Sequence, residues 1–383
     1  MLALRLARGT HPLVLLRRLL VAVASAGVGF LLLCALTYGL AHPTDSSAGL
    51  RLLWCLIPLA AAVHFAVAVA RTDPSTRPRR GLSAVGLGPV RLALLAAVST
   101  AVTGTLGSVL ALLVFLHLRG DLGLPHGGGA AELLAAGQGL PPAAVLTLLA
   151  LTPMASTAAA AVALRRRGDA EPPSAGREQT WLPWGVALTA AGLAVETYAS
   201  RGGPGGPHSP LAALPLPVRF EGSPAGVLAG WTVTALGLAL VGPGITQLCG
   251  RLLQSARPGA TRLLAGRILM AESHRIGRPL GVVCAVAAAA TTATTLYGSG
   301  PSPFGPLTGL GATLVVSCAM GTLLTAALEA RQSRADTTAA LHRLGAPKAA
   351  LREAVTLRAA VLLAVFAPLG WVVGALAALP LSG

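Results

Sequence analysis

The sequence predicts an all-α bundle that crosses a bilayer about nine times, and three observations carry that prediction. The 383-residue chain is 54% hydrophobic and 11% charged, with a mean hydropathy of +0.71. An ordinary soluble domain carries about 25% charged residues, so a soluble chain this apolar could not cover its surface. The apolar residues fall into runs close to the roughly 20 residues that a spanning helix needs. The basic residues gather in alternate connectors between those runs, the bias that sets membrane orientation. The net charge of +16 is therefore read as topology. Nucleic-acid binding needs basic residues on a polar face with aromatic or donor side chains among them, and here aromatics are only 4%.

The runs lie near 19–40, 52–70, 93–118, 143–164, 181–200, 226–249, 279–297, 307–328 and 354–379. The first is read as a retained helix and not a signal peptide, because it is long, its basic lead-in is extended, and no small-residue cleavage site follows Leu40-Ala41-His42. With the N-terminus inside, all but four of the 29 basic residues fall on the cytoplasmic side. The exceptions are Arg51, Arg119, Arg201 and Arg219. Gain or loss of one internal span would scramble this alternation. The connectors 119–142 and 201–225 are rich in Gly and Pro and suit flexible links. Cys34, Cys55, Cys249, Cys284 and Cys318 all fall in or at the ends of apolar runs without metal-ligand spacing, and are expected as small buried apolar residues.

A repeat organises the chain. Leu82-Ser-Ala-Val85-Gly86-Leu-Gly88-Pro and Leu341-His-Arg-Leu344-Gly345-Ala346-Pro each follow a basic stretch and lead into an apolar helix. Leu82 and Leu341, Gly86 and Gly345, and Arg8 and Arg267 are all 259 residues apart. The expected organisation is two tandem parallel units, 1–165 and 257–383, joined by a two-helix linker over 166–256. The second unit reaches Gly383 without a fourth helix. In the second copy the residues around 339–344 read as a short helix. Gly345 is suited to the left-handed conformation that closes a helix, and Pro347 to the opening of the next. A short rigid helix between two spans is a natural docking element for a cytoplasmic partner. The plainer alternative is an amphipathic loop lying on anionic lipid.

The stretch from Glu329-Ala-Arg331 through Leu341-His-Arg-Leu344-Gly345-Ala346-Pro347-Lys348 to Arg352-Glu353-Ala354 resembles the signature segment of the FtsX-like permease domains. Gly86-Leu87-Gly88 looks like a worn copy of it. The resemblance implies an ABC transporter membrane subunit in the cytoplasmic membrane of a bacterium, working with a separate ATPase. It implies that Leu82, Val85, Gly86, Gly88, Leu341, Leu344, Gly345, Ala346 and Lys348 belong to the ATPase-contacting segments. Lipid or peptide is the substrate class it suggests, and a homodimer is compatible with it. Many relatives carry a large domain outside the membrane after the first helix; connectors 41–51 and 298–306 are too short for one.

Several chemistries find no residues to carry them. No phosphate-binding G-x-x-x-x-G-K-[S/T] occurs, and Lys348 is the single lysine. No nucleophile elbow, zinc motif or paired intramembrane carboxylates are present, so no catalytic residue, metal or cofactor is expected. Two ionisable residues lie within spans, and such groups are functional hypotheses by default. For Glu196, toward the outer end of its helix, the plain expectation is interfacial solvation. For His64 it is a neutral imidazole bonded to a neighbouring helix. Gly370 and Gly374 form a G-x-x-x-G that permits close helix contact. The alternative to a permease is a non-transporting regulator or scaffold whose basic loops bind a partner or anionic lipid.

Overall fold

The computed structural model describes residues 12–43, 47–72, 89–121, 134, 139–168, 181–200, 224–255, 259–297, 306–343, 345 and 347–381. Among these, every regular element is helical. In chain order they are α1 (Pro12–Ala41), α2 (Ser47–Trp54), α3 (Leu56–Thr72), α4 (Pro89–Arg119), α5 (Pro142–Gly168) and α6 (Trp181–Ser200). Then come α7 (Pro224–Ser255), α8 (Ala260–Ala271), α9 (Ser273–Tyr297), α10 (Pro306–Ser333), α11 (Ala335–Arg343) and α12 (Lys348–Ala378), with a final 3₁₀ turn at Leu379–Leu381.

Eight of the described helices are long and apolar enough to cross a bilayer: α1, α3, α4, α5, α7, α9, α10 and α12. The expected span at 181–200 forms helix α6, yet is not among them. Its 20 residues include Trp181, Pro183, Trp184, Glu196 and Tyr198, which lower its apolarity. The chain is a multi-pass helical membrane protein by length and composition. Where a plain turn was expected at 41–51, α2 forms instead, and the Arg51 guanidinium lies 3.5 Å over the Tyr38 ring. Tyr38 in turn stacks on His42 at 4.5 Å.

By packing, the chain divides into two compact units, Met1–Glu171 with Phe304–Thr322, and Pro172–Pro303 with Leu323–Gly383. In the first, α1 is the central helix, packed by α3, α4 and α5. One side of it, with Val21, Val28 and Leu32, meets Leu59 and Phe65 of α3 and Cys318 of α10. The other, with Leu33 and Cys34, meets Ala111 and Phe115 of α4 and Val145 and Leu149 of α5. Hydroxyls supply the polar glue that a bilayer interior favours. Ser25 donates to the Gly104 carbonyl at 3.0 Å, and Ser108 to that of Leu149 at 2.9 Å. α4 closes at Gly120, whose φ of 90° only glycine adopts cheaply. There the Asp121 N–H reaches back to the Leu116 carbonyl at 3.1 Å.

In the second unit, α7 packs α6 on one face and α8 and α9 on others. The α6–α7 seam is built on glycines seven residues apart, Gly185 and Gly192 facing Gly230, Gly237 and Gly244. A seven-residue period keeps one stripe facing its partner along two helices, and small residues let the backbones touch. A Cβ on Gly237 would lie 2.5 Å from the Thr189 nitrogen, and one on Gly192 2.5 Å from the Thr234 nitrogen. α12 lies against α9 through Gly370 and Gly374, the expected close contact. A Cβ on Gly370 would stand 3.3 Å from the Cys284 carbonyl, and one on Gly374 2.5 Å from that of Ala288. All five cysteines are buried, as their apolar settings predict.

Candidate functional site: a charged foot beneath a short exposed helix

The second-unit segment expected to dock a partner is structured as its sequence suggests. α11 runs from Ala335 to Arg343, Gly345 has a φ of 89°, and Pro347 caps α12, which Lys348 opens. The described side chains of α11 are exposed apart from Thr338, which is half-buried and donates to the Arg334 carbonyl at 2.8 Å. Leu341 lies within α11. Leu344 and Ala346 are outside the described residues, as are Leu82, Val85, Gly86 and Gly88 of the first copy.

Two breaks position α11. Gly345 ends it, and at its start Arg334 is the single residue between α10 and α11. A second break of the same kind lies between α8 and α9, where the single residue is Glu272, with φ −107° and ψ 4°. These two residues form a contact, Arg334 Nε standing 2.6 Å from Glu272 Oε1. The Nε–H itself is aimed at the Ala330 carbonyl at 3.0 Å, so Glu272 Oε1 receives charge attraction without an aligned hydrogen bond. An ion pair thus clips the α8–α9 joint to the α10–α11 joint.

Arg358, on the third turn of α12, completes the group. It is 8% exposed, and its Nε donates to its own helix at the Ala354 carbonyl, 3.0 Å away. Three guanidiniums, those of Arg334, Arg358 and Arg275, act on the single Glu272 carboxylate. Glu272 is 6% exposed, and burial pushes its carboxyl up from the ordinary glutamate value. The three guanidiniums pull the other way without reversing the shift. The cost of desolvating a buried ion exceeds what its neighbours return, a common balance for buried pairs. A charged group held at such a cost is a candidate for function.

The two intramembrane residues weighed from sequence do not join this group. His64 lies exposed on α3, whereas a site facing another helix was expected. Glu196 is not solvated at the interface as expected: it is 1% exposed and accepts a hydrogen bond on Oε1 from Trp231 Nε1 at 2.5 Å. The α6–α7 glycine seam accounts for this correction. A Cβ on Gly230 would lie 2.9 Å from the Glu196 nitrogen, so the last step of the seam draws the carboxyl inside. Among the described residues no cluster of His, Cys, Asp and Glu has the makings of a metal site.

No family model, curated protein or solved structure matches this chain.

Proposed function

We propose that this chain is the membrane-spanning permease subunit of an ABC-type transporter, with α11 as the element that engages a separate cytoplasmic ATPase. The observation that carries the reading is the setting of α11, an exposed helix held between two long apolar helices by a sharp break at each end. Such a helix can tilt only if the helices joined to it shift. A partner changing shape with nucleotide would therefore move α10 and α12. Two further features support it. α4 and α12 are each 31 residues long, and their bounds, Pro89–Arg119 and Lys348–Ala378, differ by the 259-residue offset that relates the two Leu-x-x-[Val/Leu]-Gly segments. The absence of a phosphate-binding loop from the sequence fits a subunit whose ATP is hydrolysed elsewhere. The substrate class that accompanies this reading is lipid or peptide, and the expected compartment is a bacterial plasma membrane with the N-terminus inside.

The test is a mild-detergent pull-down of the tagged protein from its own host, with and without ATP, followed by an ATPase assay. A stoichiometric ATPase should co-purify, and a Leu82→Asp, Leu344→Asp double variant should lose it while eluting from size exclusion as the wild type does. Recovery of a folded protein without a nucleotide-hydrolysing partner would favour the regulator or scaffold reading instead.

A further inference from the structure

The charges at the foot of α12 do not balance. Among the described residues three guanidiniums act on one carboxylate, and Arg358, more than nine-tenths buried, hydrogen-bonds only through its Nε to the Ala354 carbonyl. Among the described residues its two terminal nitrogens, each a donor of two hydrogens, have no hydrogen-bond acceptor and reach the Glu272 carboxylate by charge alone.

The level of the group along the bundle says what acceptor those nitrogens would meet. From residue 359 to residue 378, α12 carries no charge. Those twenty residues span about 30 Å at the rise of an α-helix, the thickness of a bilayer's hydrocarbon core. Arg358 is thus the first residue beyond the hydrocarbon. The other helices agree. α10 is uncharged from Pro306 to Leu328 before it reaches Glu329 and Arg334, and α9 is uncharged from Pro279 to Tyr297, with Arg275 and Glu272 on its near side. All four charged groups of the foot therefore stand where lipid phosphates stand.

We infer that this foot is a binding site for the phosphate group of an anionic phospholipid in the leaflet at that end of the bundle. The terminal nitrogens of Arg358 take the phosphate oxygens in the forked geometry that guanidinium offers phosphate, and the exposed Arg275 adds charge from the rim. Glu272 is the internal competitor: it draws on the same guanidiniums, and its carboxylate repels the incoming phosphate. Basic pockets between membrane helices hold anionic headgroups by this chemistry. The inference does not depend on an ATPase partner, and it makes the charged foot a lipid-responsive joint between α8–α9 and α10–α11.

The experiment is lipid binding to the full chain in detergent, read by native mass spectrometry and by the thermal shift on adding phosphatidylglycerol, phosphatidylcholine or inorganic phosphate. Phosphatidylglycerol should be retained and should stabilise the wild type, with phosphatidylcholine weaker. Arg358→Gln should lose about fivefold in affinity, the worth of one basic residue at a membrane surface. Arg275→Gln, at an exposed position whose loss does not threaten folding, should lose less. Glu272→Gln should bind phosphatidylglycerol more tightly than the wild type, which a merely structural role for the cluster does not predict. Equal retention by the wild type, Arg275→Gln and Glu272→Gln would overturn the assignment. So would stabilisation by inorganic phosphate in place of phosphatidylglycerol, which would make the ligand an ion from water.

Discussion

In the α1–α4 pair of the first unit, Leu33 and Phe115 are fully buried in one apolar cluster with Ala111 and Leu149. The positions 259 residues on, in the α9–α12 pair of the second unit, hold Thr292 and Gly374. There the Thr292 hydroxyl donates to the Gly374 carbonyl at 3.0 Å and to that of Ala288 at 2.9 Å. The small residue also changes sides. In the first unit it is Gly29 of α1, where a Cβ would lie 3.0 Å from the Ala111 Cβ. In the second it is Gly370 of α12, 259 residues after Ala111. At these paired positions one seam is closed by side-chain bulk and the other by backbone contact and a hydroxyl, while elsewhere along α1–α4 the Ser25 hydroxyl reaches the Gly104 carbonyl and Gly107 lies against the Ala22 carbonyl. Bulk fills space but fixes no register. Backbone contact with a hydrogen bond fixes the rotation of one helix against the other, because a slight turn loses both. The charged foot belongs to the second unit alone among the described residues. The residues 259 positions before Glu272, Arg334 and Arg358 are Leu13, Ser75 and Ser99, none of which carries a charge.

The largest effect should come from removing the bulk. Phe115→Ala leaves a cavity against Leu33 and Leu149 and should cost about 3–5 kcal/mol, read as the loss of folded protein in detergent unfolding. Gly374→Ala attacks the other seam. A methyl there meets Thr291 Oγ1 and the Ala288 carbonyl, and the forced separation should cost about 1–3 kcal/mol. If the methyl were tolerated without loss, backbone contact would not be what closes the α9–α12 seam. Thr292→Val keeps the shape and removes the hydroxyl, and it should cost about 0.6 kcal/mol, the average for such bonds inside a membrane bundle. Leu33→Val, at the counterpart position, would in contrast act through volume alone.

Much of this fold was readable because membrane helices announce themselves by length. The apolar run at 93–118 became α4, and the glycine and proline after residue 344 became the turn that ends α11 and the cap of α12. α2 was missed because its eight residues are amphipathic and sit where a short connector sufficed. The α6–α7 seam was in the sequence all along, as glycines at 185 and 192 and at 230, 237 and 244, but a seven-residue period of small residues is easily passed over in a glycine-rich chain. The charged foot is another matter. Glu272 and Arg334 are 62 positions apart and meet because two helix breaks coincide in space, which no local pattern encodes. The one signal available was that Glu272 is the only acidic residue between Glu221 and Glu329.

The smallest effect has the sharpest sign. A carboxyl whose folded value is raised binds its proton more readily in the folded than in the unfolded chain. Its protonation therefore favours folding: the contribution is fully present below the unfolded value and is lost as pH rises through the folded one. At neutral pH the ionised Glu272 is on the unfavourable side of that balance. Glu272→Gln, which mimics the protonated form, should then leave stability unchanged or raise it slightly, in contrast to the three losses above. The gap between variant and wild type should begin to close as pH falls through the raised value and be gone only below about 4.3, where an ordinary glutamate titrates. Thermal unfolding of both proteins across this range, in detergent free of anionic lipid, measures the gap. A stability loss in Glu272→Gln at neutral pH would mean that the ion pair stabilises the joint outright. The second unit would then owe its fixed geometry to its charges as well as to its glycines.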